Sequence, residues 1–394
     1  MKYFKDDRSS VIKFIIFCVI CSRVAMLLLY IAIFKNYSIT DFINHVSQWD
    51  VKWYENIVNA IVHNDYMGYS HVDGDIYEHA VWAFFPLYSI TIAPFYYFLS
   101  PFMSIYQVGM MLNVVYFSLA MYIGHKYIML TRNDIKRSYI YIFLMSFGPW
   151  NMYFFVMYTE SLFLLLLTLC FYYLKKKNYI LMGVFGALLS ATRNVGVLFV
   201  FVVLFDTIKN FIEKNQNKQD RSAFSLMGEY LKEVIDNYKL VLGTCMVPMG
   251  LFSYIAFLEH ELGDGLAFVH VQAGWSRVSG IKSFIINIKE AAWNVFPPDI
   301  LVTAFFVAIV FVIVLIKDKR YEEAVFPGII LIVAGMSSFM SIPRFMLGSF
   351  TVCLAFVDQL SKMSTLKKLV IGFFLIIFSI TIYRAYLLGN TVLF

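Results

Sequence analysis

The sequence predicts an all-α polytopic membrane protein of about 11 membrane segments, with a large outer loop after the first helix. Three observations carry this reading. The 394 residues are 60% hydrophobic, 19% aromatic and only 15% charged, whereas a soluble globular domain is roughly half apolar and about a quarter charged. The apolar residues gather in runs long enough to span a bilayer. Basic residues cluster between those runs. The composition excludes a soluble enzyme, a disordered chain and a disulfide-stapled secreted domain. The net charge of +6 gives no argument for nucleic acid, because the clustered cations serve to orient the chain in the bilayer.

The spans are taken in order. Residues 11–34 read as a retained signal anchor, since Met1-Lys2-Tyr3-Phe4-Lys5 leads into the apolar run with no small-residue cleavage site. Further candidates are 105–129, 138–155, 158–174, 179–205, 239–258, 300–316, 324–340, 345–360 and 369–388. Stretch 82–100 is apolar but interrupted by Pro86 and Pro94 and followed by Pro101, and proline kinks or ends helices. Cys18, Cys21, Cys170, Cys245 and Cys353 all lie in apolar runs, where cysteine packs as a small hydrophobe.

Five basic clusters fix the orientation: Lys2/Lys5/Arg8/Lys13, Lys126/Arg132/Lys136/Arg137, Lys175/Lys176/Lys177, Lys317/Lys319/Arg320 and Lys362/Lys367/Lys368. They hold 17 of the 32 Lys and Arg residues, enough to apply the positive-inside rule. Loop 36–81 carries seven acids against a single Lys52 and belongs outside. Parity then requires that 82–100 stay at the outer interface or re-enter. It also requires that 179–205 be two short helices, 179–191 and 195–206, meeting at Ala191-Thr192-Arg193-Asn194. Only one clear helix break is predicted, at Arg193. The N-terminus is cytoplasmic and the C-terminus outside. One integral-membrane domain covers 1–394, with 36–104 as the outer loop with interfacial or re-entrant helices, 207–238 as a cytoplasmic insert and 259–298 as a second outer loop. Within the insert, 221–238 reads as an amphipathic surface helix.

The topology brings the misplaced polar residues to one face. Asp50, flanked by Trp49 and by Trp53-Tyr54, suits general-base work beside sugar-stacking rings; its plainer reading is an interfacial aromatic belt. Glu160 opens an apolar helix and is either a dipole partner or a cavity residue. Arg193, alone in a 27-residue apolar stretch, requires an anion or a polar cavity; a phosphate fits its fork, and an ion pair with Glu160 is the alternative. His270, Gln272 and Arg277, with Trp275 as a stacking face, form an anion-binding pattern or an ordinary interfacial loop. Arg344 either snorkels to headgroups or acts in the site. His63, His71, His79, Asp73 and Asp75 fit no zinc spacing, so no metal site is predicted and a divalent ion is allowed but not indicated. No phosphate-loop, dinucleotide or metalloprotease motif is present.

Five stretches, in order, resemble the PIG-V family of GPI mannosyltransferase II type, above all its bacterial PIG-V-like branch. They are Gln48-Trp49-Asp50 with Trp53-Tyr54; Ala83-Phe84-Phe85-Pro86-Leu87-Tyr88; Met157-Tyr158-Thr159-Glu160-Ser161-Leu162-Phe163; Ala191-Thr192-Arg193-Asn194-Val195-Gly196; and Gly263-Asp264 through Trp275-Ser276-Arg277. They cover roughly residues 48–277, with a weaker echo at Ile342-Pro343-Arg344. The resemblance implies a GT-C-type membrane glycosyltransferase that uses a polyprenyl- or dolichyl-phosphate sugar on the outer or luminal face. It implies mannose as the sugar, and it maps an acidic residue of the first outer loop onto Asp50. The late loop departs from the eukaryotic enzymes, so a GPI-type acceptor does not follow, and a bacterial cytoplasmic membrane is favoured over the endoplasmic reticulum. Its expected partners are the bilayer, the lipid-linked donor and an unidentified acceptor (lipid, glycan or protein). Asp50 and Glu160 are the expected catalytic acids. Arg193, His270, Gln272, Arg277 and Arg344 are expected at the donor phosphate and carrier, and Trp49, Tyr54 and Trp275 at sugar or acceptor. The rival classes are a transporter or lipid flippase, which predicts paired broken helices, and a non-catalytic subunit of a membrane complex.

Overall fold

A computed structural model describes residues 8–64, 81–215, 223–272, 285–286, 289, 300–336 and 342–389. Among these residues there is no strand; eighteen α-helices and three short 3-10 turns make up the regular structure. In chain order the first seven are α1 (Arg8–Phe34), α2 (Ile39–Val46), α3 (Val51–His63), α4 (Leu87–Leu99), α5 (Ile105–Arg132), α6 (Ile135–Phe147) and α7 (Glu160–Lys175). Then follow α8 (Tyr179–Thr192), α9 (Phe199–Asn215), α10 (Ala223–Asp236), α11 (Tyr238–Met246), α12 (Met249–Leu262) and α13 (Ala267–His270). The last five are α14 (Ile300–Lys317), α15 (Tyr321–Gly335), α16 (Ile342–Gly348), α17 (Phe350–Ser361) and α18 (Thr365–Leu387).

Among the described residues four helical stretches are long and apolar enough to cross a membrane: α1, α5, α18 and Asn194–Asn215. Bent pair α11–α12 would be a fifth. The other predicted segments are shorter helices, and the residues that shorten them are identifiable. Segment 138–155 ends as α6 before Gly148-Pro149 and continues as a 3-10 turn, Asn151–Phe154. Segment 345–360 is divided at Ser349 between α16 and α17.

Segment 179–205 breaks at Arg193, whose backbone is extended, and resumes as a 3-10 turn over Asn194–Leu198. A second break corrects the expectation of one: α11 and α12 meet at Val247-Pro248 with a 42° bend. Proline supplies no amide for the helical ladder. The Ser190 hydroxyl of α8 donates to the Val247 carbonyl at this break, at 2.6 Å. Glycine lets α8 approach that closely: a Cβ on Gly243 would collide with the Tyr179 carbonyl, and one on Gly250 with the Ala187 carbonyl.

α7 lies at the centre. Leu162, Leu164, Leu167, Cys170, Phe171 and Leu174 are buried, and so are Ser161 and Thr168; a helix apolar all round is a core helix. It packs mainly on α5 and α8. Peripheral α18 exposes Leu369, Phe373 and Phe374. α10 is the amphipathic helix expected over 221–238. Its Phe224, Met227, Leu231 and Ile235 form an exposed stripe at helical spacing.

The two ends of the bundle differ in chemistry. α5 begins with a capping box, in which the Ser104 hydroxyl accepts from the Gln107 backbone amide and the Gln107 side-chain carbonyl accepts from the Ser104 backbone amide. Two residues into this start, Tyr106 meets Lys52 and Glu55. The far end of α5, roughly 40 Å away along the helix, carries Arg132. Members of all five basic clusters meet there. Arg8 and Lys126 lie over the Tyr122 ring. Arg132 pairs with Glu323 at 2.6 Å and Asp358 at 2.8 Å, and Arg137 joins Asp358 at 3.1 Å. Lys175 pairs with Glu322 at 2.6 Å and Lys362 with Asp318 at 3.3 Å, while Arg320 reaches the Thr131 carbonyl. α1 ends and α5 begins at the opposite end, so the intervening α2, α3 and α4 make no net crossing.

Candidate functional site

At that opposite end, four charged residues from four parts of the chain form one partly buried chain of ion pairs. Asp50 precedes α3, Glu160 is the first residue of α7, Arg193 sits in the α8 break and Arg344 is in α16. Arg344 Nη1 donates to Asp50 Oδ2 at 2.7 Å, and Arg344 Nε to Glu160 Oε1 at 2.8 Å. Arg193 Nη1 donates to the same Glu160 oxygen at 2.7 Å. Glu160 is fully enclosed, and its Oε2 has no hydrogen-bond partner among the described residues. The Asp50 side chain is 29% exposed and that of Arg193 15%, against 7% for Arg344. The site therefore opens toward Asp50 and Arg193, with Arg344 behind.

Local sequence explains each placement. Trp49 adopts a left-handed backbone, φ 59°, which turns the chain sharply into α3 and sets Asp50 at its start. Residues 148–159 are not α-helical, so the carbonyls that find no backbone amide need side-chain donors. Asn113 of α5 donates to the Val156 and Tyr158 carbonyls. Ser161 of α7 donates to the Phe154 carbonyl at 2.8 Å, and Arg23 of α1 reaches the same oxygen at 3.3 Å. The segment so held carries Tyr153 and Tyr158, whose rings lie 5.2 and 4.7 Å from the Arg344 guanidinium. Arg193 lies over Phe345 at 4.7 Å. Aromatic faces beside a desolvated guanidinium stabilise it by about 2 kcal/mol. The Tyr158 hydroxyl donates to the Gln48 carbonyl at 3.0 Å, tying this floor back to the Trp49-Asp50 turn.

The other predicted residues are placed differently. Tyr54 is buried and meets the Phe84 and Tyr88 rings edge-on, one turn below Asp50 on α3. Trp49 is 37% exposed beside Asp50. His270 and Gln272 belong to a separate cluster around α13, where His270 Nδ1 lies 2.7 Å from Asp264 Oδ2. Phe268 of the same helix packs on Phe85 and Tyr254. Trp275 and Arg277 lie outside the described residues, as do His71, Asp73, Asp75 and His79. Among the described residues no three His, Cys, Asp or Glu side chains gather in a metal-holding group. Outside the network, Lys52 binds Glu55 at 2.8 Å and Tyr106 at 2.7 Å; the Glu55 carboxylate, then the Tyr106 hydroxyl, hold the Lys52 ammonium above the ordinary lysine pKa.

Next to the network lies an apolar cavity of about 390 Å3 between α3–α4 and α8–α12. Ile57, Ile61, Trp82, Leu87, Phe257 and Leu258 line it. Its wall also includes Ala191, two residues before Arg193, and Phe84, which packs on Tyr54. Sequence reasoning missed this cavity, as well as Arg23 and Asn113. The cavity is made by tertiary packing, but the two polar residues stand alone in apolar helices, the same signal that singled out Arg193.

No family model and no curated protein matches the chain. Among solved structures it is similar to the archaeal oligosaccharyltransferase AglB from Archaeoglobus fulgidus in complex with an inhibitory peptide and a dolichol-phosphate. That match has 10% sequence identity and a TM-score of 0.45, covering 95% of this chain and 56% of that one.

Proposed function

We propose that the chain is a membrane glycosyltransferase that moves a sugar, mannose by the motif resemblance, from a polyprenyl- or dolichyl-phosphate carrier to an acceptor hydroxyl outside the cytoplasm. The observation that supports this most is the assembly of Asp50, Arg344, Glu160 and Arg193 at the end of the bundle away from the basic clusters. Arg344 engages one Asp50 oxygen and leaves Oδ1 without a partner among the described residues. In this reading Asp50 accepts the acceptor's proton there. The acceptor oxygen attacks the anomeric carbon in line and forms the new C–O bond. The bond from that carbon to the phosphate oxygen breaks, and its electron pair leaves on the lipid phosphate with inversion. Charge grows on the phosphate in that step, and a preorganised cation lowers its energy. Arg193, the more exposed of the two arginines, fills this role. Arg344 then orients Asp50 and Glu160 rather than the phosphate. The apolar cavity beside Ala191 is suited to the carrier's hydrocarbon chain.

The reading is tested by supplying membranes that contain the chain with a panel of polyprenyl-phosphate sugars and following label into lipid, glycan and protein fractions. Transfer from the mannosyl donor is expected. Consumption of none of the donors would contradict the proposal. A second reading draws on the paired breaks at Arg193 and Pro248, since broken helices packed against each other mark transporter sites. Movement of a lipid-linked sugar across proteoliposomes without transfer would favour it.

A further inference from the structure

The ion pairs of the site balance: Asp50 and Glu160 against Arg193 and Arg344. A fifth charge lies behind the Tyr153–Tyr158 floor, with no carboxylate partner among the described residues. Arg23 is the sole charged residue between Lys13 and Lys35 in α1. Its guanidinium donates to the Ser22 hydroxyl at 3.1 Å and to the Phe154 carbonyl at 3.3 Å. It is held over the Phe117 and Phe155 rings at 5.1 and 5.4 Å. Its Nε is buried with no partner, and no carboxylate pairs with it among the described residues. The Phe154 carbonyl that it binds also accepts from Ser161, the residue after Glu160.

An unpaired cation inside an apolar helix is strongly disfavoured. Packing alone gives no reason for it, because an apolar side chain would fill the slot between two phenylalanine rings. Support of the Phe154 carbonyl requires only a neutral donor. What arginine adds is charge: the four-residue network is itself neutral, and Arg23 behind its floor adds one positive charge that no carboxylate among the described residues offsets. Inside a protein of low dielectric that charge reaches farther than in water, and it attracts an anion.

We infer that Arg23 is a positioning residue that also acts through its charge. It supports the Tyr153–Tyr158 floor through the Phe154 carbonyl and makes the site net positive toward a lipid phosphate. The inference rests on the lipid-phosphate reading of the site. It is tested with the full chain in nanodiscs by measuring binding of undecaprenyl phosphate and of undecaprenol through intrinsic tryptophan fluorescence, for wild type, Arg23→Gln and Arg23→Lys. Arg23→Gln is expected to weaken binding of the phosphate roughly tenfold and to leave undecaprenol binding unchanged, while Arg23→Lys keeps phosphate affinity near wild type. Should Arg23→Gln fail to fold, Arg23→Met, which refills the slot between the two rings, carries the same expectation. Unchanged phosphate binding in the neutral variants, or an equal loss for both ligands, would overturn the inference. A wild-type chain that does not distinguish the phosphate from the alcohol would overturn the lipid-phosphate reading itself, and this inference with it.

Discussion

Asp50 and Glu160 are joined by a single guanidinium: Arg344 donates to the first at 2.7 Å through Nη1 and to the second at 2.8 Å through Nε. The fork geometry of arginine permits this, since its donors lie in one plane and diverge. The bridge couples the mouth of the site to its enclosed interior.

Removal of the bridge leaves Glu160 buried with only Arg193 and leaves Asp50 without its ion-pair partner. Arg344→Met is therefore expected to destabilise the protein by about 3–5 kcal/mol, the cost of breaking a buried pair from one side. Arg344→Lys keeps the charge and recovers part of that stability, but one ammonium does not reproduce the fork. Thermal unfolding in detergent measures both. A wild-type melting temperature for Arg344→Met would show that the bridge contributes nothing.

The cavity beside Arg193 gives a separate expectation. Ala191→Trp places an indole in the space bounded by Ile57, Ile61 and Tyr254. The KM for a long-chain polyprenyl-phosphate donor is expected to rise roughly tenfold, equivalent to about 1.4 kcal/mol, while a short-chain donor is affected little. Equal effects on both donors would remove the cavity from the carrier's path.

Orientation is tested by labelling. In a cysteine-free background, Lys52→Cys at the site end is expected to react with a membrane-impermeant maleimide on intact cells. Lys177→Cys at the basic end is expected to react only after permeabilisation, as the positive-inside rule requires. The reverse pattern would invert the topology.

The sequence made some of this visible for a definite reason: charge in an apolar run is costly, so each such residue marks a structural demand. Arg193 and Glu160 stood out on that ground, and their ion pair was one of two alternatives in view. The convergence of five basic clusters followed from the same sparseness. Arg344 was harder to place. Proline in front of it and a helix end around it suit snorkelling equally well, and only long-range packing buries it against Tyr153 and Tyr158. The break at Pro248 was missed because its flanks stay apolar, so hydropathy runs through it while the backbone does not. The cavity depends on how α3, α4, α8 and α12 meet, which no local pattern encodes.

The central claim is that Asp50 accepts the acceptor's proton. Its most direct measurement is the rate of sugar transfer from polyprenyl-phosphate mannose by Asp50→Asn in membranes, alongside its melting temperature. Asparagine keeps the size and a hydrogen bond to Arg344 but not the basicity. A loss of at least about 100-fold in a variant that stays folded is expected; transfer near the wild-type rate would contradict the assignment.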